Sequence, residues 1–242
     1  MIKLMLGDCL ERMKEIPGGS VDCILTDLPY GTTQNHWDSV IPFELLWAHY
    51  KRIIKPSGAI VLFGSQPFTS ALVMSNLKWF KYDWIWKKPK GTGHLNAKKQ
   101  PMRDKEDVLI FYNSKPTYNP QFSIGTPYKE KSGKKKSEVY GADNRKGNSS
   151  SGNRYPKQVL EFGVVERGTI NSTQKPVPLL EYLIKTYSNE GEIILDSCFG
   201  SASTGIACLN TGRKFIGIEK DSEQFYAGKN RIEAAQLQKD VA

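Results

Sequence analysis

The sequence predicts an α/β domain built on an open parallel sheet with helices on both faces. Strands alternate with helices at both ends of the chain, which is the pattern of a sheet covered by helices. Short apolar runs end in a carboxylate and a turn, as at Val21–Asp27, which suits a buried parallel strand better than a half-exposed one. The third observation is a loop of small residues between the run Ile193–Leu195 and the next helical pattern.

Met1 to Asp8 reads as a strand entering a turn. It lacks the apolar region and small-residue cleavage site of a signal peptide, so a cytoplasmic location is expected. After Val21–Asp27, a helix is expected from Pro42 to Lys55, with Leu45, Leu46, Tyr50, Ile53 and Ile54 at helical spacing. Pro56-Ser57-Gly58 is expected to stop it. A strand over Ala59–Phe63 and a helix over Pro67–Asn76 follow. Phe80, Tyr82, Trp84 and Trp86 alternate with Lys81, Asp83, Ile85 and Lys87, the period of a strand. Glu106–Tyr112 gives another.

From Asn113 to Val165 the chain is rich in Gly, Ser, Asn, Lys and Pro. The isolated Tyr118, Phe122, Tyr128, Tyr140 and Tyr155 point to a partly ordered insertion that firms up on a ligand rather than to pure disorder. Order returns with a helix over Pro176–Tyr187 and a strand over Ile193–Leu195. A helix over Ser203–Asn210 is closed by Gly212, and a strand spans Phe215–Ile218. Asp221 with Gln224 resembles a capping box opening the last helix.

The 242 residues suffice for one core and a modest insertion. We divide them into residues 1–112 and 166–242, the two halves of one domain, with residues 113–165 inserted between them. No apolar run is long enough to span a bilayer. Cys9, Cys23, Cys198 and Cys208 show no metal-ligand spacing, and the three histidines, His36, His49 and His94, are scattered. Four reduced thiols and no metal are expected. The net charge of +9 points to a polyanionic partner. Its excess lies in residues 78–105 and 113–170, with Lys129, Lys131, Lys134, Lys135 and Lys136 in the second stretch.

Two segments carry candidate chemistry. In the first, a strand ends at Asp196 and Gly200, Ser201, Ala202 and Ser203 follow. A doubly wound sheet binds its ligand beyond such strand ends, and small residues let the backbone approach it. Glu219 closes the next strand, where a carboxylate suits two ribose hydroxyls. No phosphate-gripping G-x-x-x-x-G-K-S/T is present. The second segment is Thr26-Asp27-Leu28-Pro29-Tyr30-Gly31. Asp27 supplies an acceptor for an exocyclic amine. Leu28 precedes a proline, which biases it to extended geometry and turns its carbonyl outward as a second acceptor. Tyr30 supplies a ring to stack on a base. Such a pocket works only on a base flipped out of the duplex.

Asp27 to Tyr30 resembles the D-P-P-Y motif of amino-methyltransferases, and Asp196 to Gly205 resembles their D-x-F-x-G-S-G-T cofactor loop. Asn171-Ser172-Thr173-Gln174-Lys175-Pro176 is similar to their H-P-T-Q-K-P, and Gly7-Asp8-Cys9-Leu10-Glu11 to their G-D-x-L-E, whose acid approaches the cofactor adenine. Catalytic motif first and cofactor loop last is the order of the β class of DNA methyltransferases. Leu28, Cys198, Ala202 and Asn171-Ser172 depart from the pattern.

This resemblance implies a circularly permuted, Rossmann-like methyltransferase sheet, S-adenosyl-L-methionine as cofactor and double-stranded DNA as partner, with no membrane. Residues 113–165 become a target-recognition segment, and N6 of adenine becomes the methyl acceptor. Asp27, Leu28, Pro29 and Tyr30 are the expected catalytic residues. Asp8, Cys9, Asp27, Thr173, Lys175, Asp196, Cys198, Phe199, Gly200, Ser201, Ala202, Ser203, Glu219 and Lys220 are the expected cofactor contacts. N4 of cytosine is the nearest alternative; RNA, a protein amide and a non-catalytic DNA-binding role stay behind it. The target sequence, a homodimer and a partner nuclease are left open.

Overall fold

The computed structural model describes residues 1–31, 39–129, 133–137, 141–145, 149–164 and 174–241. Of the positions singled out above, His36, Lys131, Tyr140, Asn171, Ser172 and Thr173 lie outside the described residues. The chain divides into two compact units, Met1–Asn119 with Gln158–Ala242, and Pro120–Lys157.

In the larger unit the elements run β1 (Ile2–Leu6), α1 (Cys9–Arg12), β2 (Val21–Thr26), α2 (Phe43–Ile53), β3 (Ile54–Gly64), α3 (Phe68–Ser75), β4 (Phe80–Thr92) and β5 (Arg103–Phe111). The smaller unit holds β6 (Ser123–Ile124), β7 (Tyr128–Lys129), β8 (Gly133–Ser137), β9 (Gly141–Arg145), β10 (Ser149–Ser150) and β11 (Asn153–Arg154). The chain then gives β12 (Val159–Glu161), α4 (Val177–Tyr187), β13 (Ile193–Asp196), α5 (Ser203–Asn210), β14 (Lys214–Glu219) and α6 (Ser222–Val241).

Eight strands form one sheet in the order β1-β14-β13-β2-β3-β5-β4-β12. The pairs from β1 through β3, and β4 with β12, are parallel. β5 is antiparallel to both β3 and β4, so the sheet is mainly parallel, as expected, with one reversed strand. The chain turns back from β4 into β5 through residues 93–102, a connection too short for a parallel crossover, so the two strands pair antiparallel.

Successive strand residues face opposite sides, and the core divides accordingly. Cys23, Leu25, Ala59, Val61, Phe63, Val108, Ile110 and Ile194 pack with α4, α5 and α6. Ile24, Ile60, Leu62, Leu109, Phe111 and Leu195 pack with α1, α2 and α3. The runs lack alternation in sequence because both faces are covered. From β13 the chain crosses through α5 to β14 on one side, and from β2 it crosses through α2 to β3 on the other. The topological switch point therefore lies between β13 and β2, where such sheets bind ligands.

Two expectations are corrected. β3 begins at Ile54, straight after α2, and runs through Pro56-Ser57-Gly58 instead of starting at Ala59. The register slips between Val21↔Ile54 and Cys23↔Ala59, and that irregularity accommodates the proline. Val159–Glu161 falls in the stretch read as insertion but forms β12, the edge strand of the main sheet.

The smaller unit contains three two-stranded antiparallel pieces, β6–β11, β7–β10 and β8–β9. Within it the Phe122 and Tyr155 rings lie 4.9 Å apart, and the Arg154 guanidinium sits 4.7 Å from the Tyr128 ring centre. Tyr118 belongs instead to the larger unit, 6.2 Å from the Tyr187 ring of α4. The chain is tied on both sides of the smaller unit. Asn119 donates its backbone N–H to the Thr186 carbonyl at 2.8 Å and its amide to the Ser188 carbonyl at 3.2 Å. Gln158 donates to Asp83 Oδ1 at 2.7 Å and accepts from Ile85 N at 3.0 Å.

Among the described residues no helix is long and apolar enough to cross a membrane, and no group of His, Cys, Asp and Glu could hold a metal. The four cysteines are free.

Candidate active site

A cavity of about 250 Å³ opens at the carboxyl ends of β1, β14, β13 and β2. Of the expected site residues, Asp8, Cys9, Asp27, Leu28, Pro29, Lys175, Asp196, Cys198, Phe199, Gly200, Ser201, Ser203, Glu219 and Lys220 border it. Tyr30 and Ala202 do not.

The loop after β13 is built by backbone hydrogen bonds around an aromatic plug. Phe199 N–H donates to the Ile218 carbonyl at 3.0 Å, and Gly200 N–H to Glu219 Oε2 at 2.9 Å. Phe199 is buried against Phe215 and Phe225. Its ring needs the space left by Gly217 and Gly228, where a Cβ would come within 2.7 and 2.8 Å of it. So Phe199 anchors the loop with its side chain while bordering the cavity. Ala202 is fully buried and adopts φ 60°, the left-handed region that favours glycine. It stands behind the loop, as the N-cap of α5, apart from the other expected cofactor contacts that border the cavity. From α6, Arg231 donates to the Ser201 carbonyl at 2.7 Å and the Ser203 hydroxyl at 3.1 Å. With its amide oriented to accept, Gln174 also receives Arg231 Nη2 at 2.9 Å.

Three carboxylates border this side of the cavity with their partners supplied by backbone or hydroxyl groups. Glu219 Oε1 accepts from Lys220 and Asp221 N–H, both at 2.9 Å. Asp8 caps α1 by accepting from Leu10 N–H at 2.9 Å. Asp196 accepts from Cys198 N–H at 3.1 Å and the Thr204 hydroxyl at 2.6 Å. Burial pushes its carboxyl up to about 7, against the lowering effect of those two bonds. No lysine or arginine among the described residues pairs with it. The Cys198 thiol is pushed up by its hydrogen bond with Cys9 and then by burial.

The end of β2 is organised differently. Tyr30 donates its hydroxyl to Asp27 Oδ1 at 2.8 Å, and the Lys175 ammonium approaches Asp27 Oδ2 at 2.5 Å. The Tyr30 ring lies against Phe68, with centroids 4.8 Å apart and planes inclined by 28°. One face of the ring expected to stack on a base is therefore covered by protein. Burial, then the Asp27 charge, push the Tyr30 hydroxyl well above its ordinary range. Lys175 was expected to contact cofactor; it borders the cavity with its charge turned to Asp27 and to Glu106 Oε2, 3.2 Å away. Burial alone would pull its ammonium down, but the two carboxylates outweigh that and raise it.

Glu106 and Lys88 were missed in the sequence, as was the contribution of Ser197, Thr204 and Gln224 to the cavity wall. Thr204 sits inside the quoted loop motif and could have been read from it. Glu106 offered no local signal, because its partners stand 18 and 69 residues away.

The family model described as DNA methylase, for enzymes of N6 and N4, matches residues 21–230. The chain is 30% identical to the DNA adenine methyltransferase YhdJ of Escherichia coli, over 95% of this chain and 82% of that protein. It is 28% identical to the type II methyltransferase M.HpaI of Haemophilus parainfluenzae, over 96% of this chain and 74% of that one. The crystal structure of an M1.HpyAVI–SAM complex superposes with a TM-score of 0.65 at 26% identity, covering 96% of this chain and 99% of that one. The PvuII DNA methyltransferase, cytosine-N4-specific, shares the fold with a TM-score of 0.66 at 16% identity, over 95% and 86% of the two chains.

Proposed function

On the footing that the chain belongs to the N6/N4 family of DNA methylases, we propose that it methylates the N6 of adenine in duplex DNA. The cofactor is S-adenosyl-L-methionine, and the cavity suits it. Five carboxylates, Asp8, Asp27, Asp196, Glu219 and Asp221, border the cavity against two lysines, Lys175 and Lys220. Asp196 in particular is a buried carboxyl with no cation beside it among the described residues. A phosphate-bearing ligand would be repelled there, and a sulfonium with an ammonium is attracted.

The cofactor supplies an electrophilic methyl with a good leaving group, so the protein has no nucleophile of its own to provide. Asp27 and the Leu28 carbonyl accept the two hydrogens of the flipped amine, which turns its lone pair toward the methyl. A carboxylate oxygen has room for more than one donor, so Asp27 can take an amine hydrogen while holding Tyr30 and Lys175. The Asp27 charge also favours the positive charge that develops on nitrogen during transfer. Pro29 keeps the Leu28 carbonyl turned out. Tyr30 offers the base the ring face opposite Phe68. Glu219 takes the ribose hydroxyls, and the Asp8–Cys9 turn meets the adenine of the cofactor.

The observation that carries the reading is the placement of Asp27 and Asp196 at adjacent strand ends on either side of the switch point, bordering one cavity. The choice of adenine rests on the acidic first residue of the motif, Asp27, and is supported by the named relative from Escherichia coli. We further propose that the inserted segment reads the target, its lysines on phosphates and its exposed aromatic and polar side chains on base edges.

Unmethylated genomic DNA incubated with methyl-labelled cofactor, digested to nucleosides and weighed, tests this. Label in N6-methyladenine is expected. Label in N4-methylcytosine would keep the mechanism and overturn the base; no label in DNA would overturn the function. Replacing residues 120–157 by a short Gly-Ser linker is expected to erase sequence selectivity while cofactor binding persists; retained selectivity would remove the recognition role.

A further inference from the structure

We propose that Glu106 is a positioning residue for methyl transfer, fixing Lys175 and through it the carboxylate of Asp27. The inference rests on the reading of Asp27 as the acceptor of the target amine.

Four side chains from separate parts of the chain form one line of alternating charge. Lys88 of β4 meets Glu106 Oε1 at 2.5 Å, Glu106 Oε2 lies 3.2 Å from Lys175, and Lys175 meets Asp27 Oδ2 at 2.5 Å. The Tyr30 hydroxyl closes the line on Asp27 Oδ1 at 2.8 Å. Three of its members are shielded: Lys88, Glu106 and Lys175 side chains are only 15%, 14% and 9% exposed. Lys175 also stands 5.1 Å over the Phe63 ring, which limits its freedom sideways.

Buried ion pairs are a weak source of stability, because removing their water costs about as much as their attraction returns. What such a line supplies is geometry. A lone lysine opposite Asp27 could swing on its four-carbon stem. The charge of Glu106, 3.2 Å behind it and anchored in turn by Lys88, restricts that swing and with it the orientation of Asp27. Orientation at the reacting centre is worth about a hundredfold in rate when an atom is misplaced by an ångström.

The charged and titratable groups around Lys175 are Asp27 and Tyr30 from the end of β2, Glu106 from β5, Lys88 from β4 beyond Glu106, and Asp196 from β13 across the cavity. Glu106 opposes the pull of burial on Lys175 and so keeps its ammonium protonated into alkaline solution. Burial would raise the Glu106 carboxyl, but Lys175 and Lys88 outweigh it and leave it low. Removing the Glu106 charge therefore moves the loss of the Lys175 proton to lower pH.

The test uses the full chain with Glu106→Gln, Glu106→Asp and Lys88→Met, beside Asp27→Ala. Methyl transfer is followed from about pH 7 to about 11, cofactor affinity by calorimetry, and the Lys175 ammonium by lysine-labelled NMR of the ligand-free protein up to about pH 12, its signal assigned with Lys175→Arg. For Glu106→Gln we expect kcat to fall about 10- to 100-fold, with KM and cofactor affinity nearly unchanged. The Lys175 titration and the alkaline limb of kcat should move together to lower pH, and Glu106→Asp should recover much of the loss. Should Glu106→Gln not fold, Lys88→Met, which loosens Glu106 from the outer end, decides by the same kcat criterion. Folded variants with wild-type kcat and an unmoved Lys175 titration, beside an inactive Asp27→Ala, would overturn the role of Glu106 and make the line a staple for the segment before α4. An active Asp27→Ala would overturn the reading of Asp27 itself.

Discussion

The loops after β2 and β13 occupy equivalent positions on either side of one switch point, yet they are held by opposite means. Asp27 is half-exposed and gripped by an ammonium and a phenol hydroxyl. Asp196 is buried and among the described residues meets a backbone N–H and a neutral hydroxyl but no cation, so its proton stays on up to about pH 7. A carboxylate that must present lone pairs to a substrate profits from a fixed charge behind it. A carboxyl that must receive a cation profits from having none, since the ligand then supplies the missing partner. In the function proposed above, two aspartates at neighbouring strand ends are thus prepared for different work by their surroundings.

The largest effect that could break this contrast is expected from Asp27→Ala. Turnover should fall by at least about 10³-fold, while cofactor affinity measured by calorimetry barely moves, because Lys175 keeps Glu106 as a partner. A rate near that of the parent chain would remove Asp27 from the chemistry.

Asp196→Asn should do the reverse, lowering cofactor affinity about 10- to 100-fold. Its stability signature follows from the raised carboxyl. The folded protein keeps this proton up to about pH 7, whereas an unfolded chain releases it near 3.8. Ligand-free stability therefore falls by a few kcal/mol as pH rises through that window. Denaturant titrations should show Asp196→Asn to be more stable than the parent above pH 7 and to lack that part of the decline. Binding of the cation should also release a proton near pH 6.5, seen as a buffer-dependent enthalpy; its absence would sharpen the comparison against us.

The smallest effect belongs to the loop backbone. Ala202 pays for a left-handed conformation with its β-carbon, and Ala202→Gly should raise stability by up to about 1 kcal/mol. A thermal melt that drops instead would show that the packing of the buried methyl outweighs the strain.

How much of this was legible in the sequence follows from where each signal lies. Leu46, Tyr50 and Ile53 announced α2 by spacing, whereas Leu45, read with them, stands exposed; Asp27 and Asp196 stood at the ends of apolar runs that could be read as buried strands. Local patterns of that kind survive folding because burial selects them residue by residue. The antiparallel setting of β5 was not legible, since period two looks the same in either direction. β12 was missed because three residues, Val159–Glu161, carry too little pattern beside Gly and Pro. The aim of Tyr30 toward Asp27 and Phe68, and the line from Lys88 to Lys175, depend on distant segments meeting, which no spacing records. Ala202 was legible as a departure from a glycine, but its strain appeared only with its dihedral angles.

The ties at Asn119 and Gln158 have a consequence for how such a protein can change over time. Because both posts are moored to α4 and β4, whatever chain hangs between them can be rewritten, lengthened or exchanged without disturbing the strands that carry Asp27 and Asp196. If that stretch reads the target, as proposed, selection can explore new readers against an unchanged engine, and inheritance of the chemistry is uncoupled from inheritance of its address.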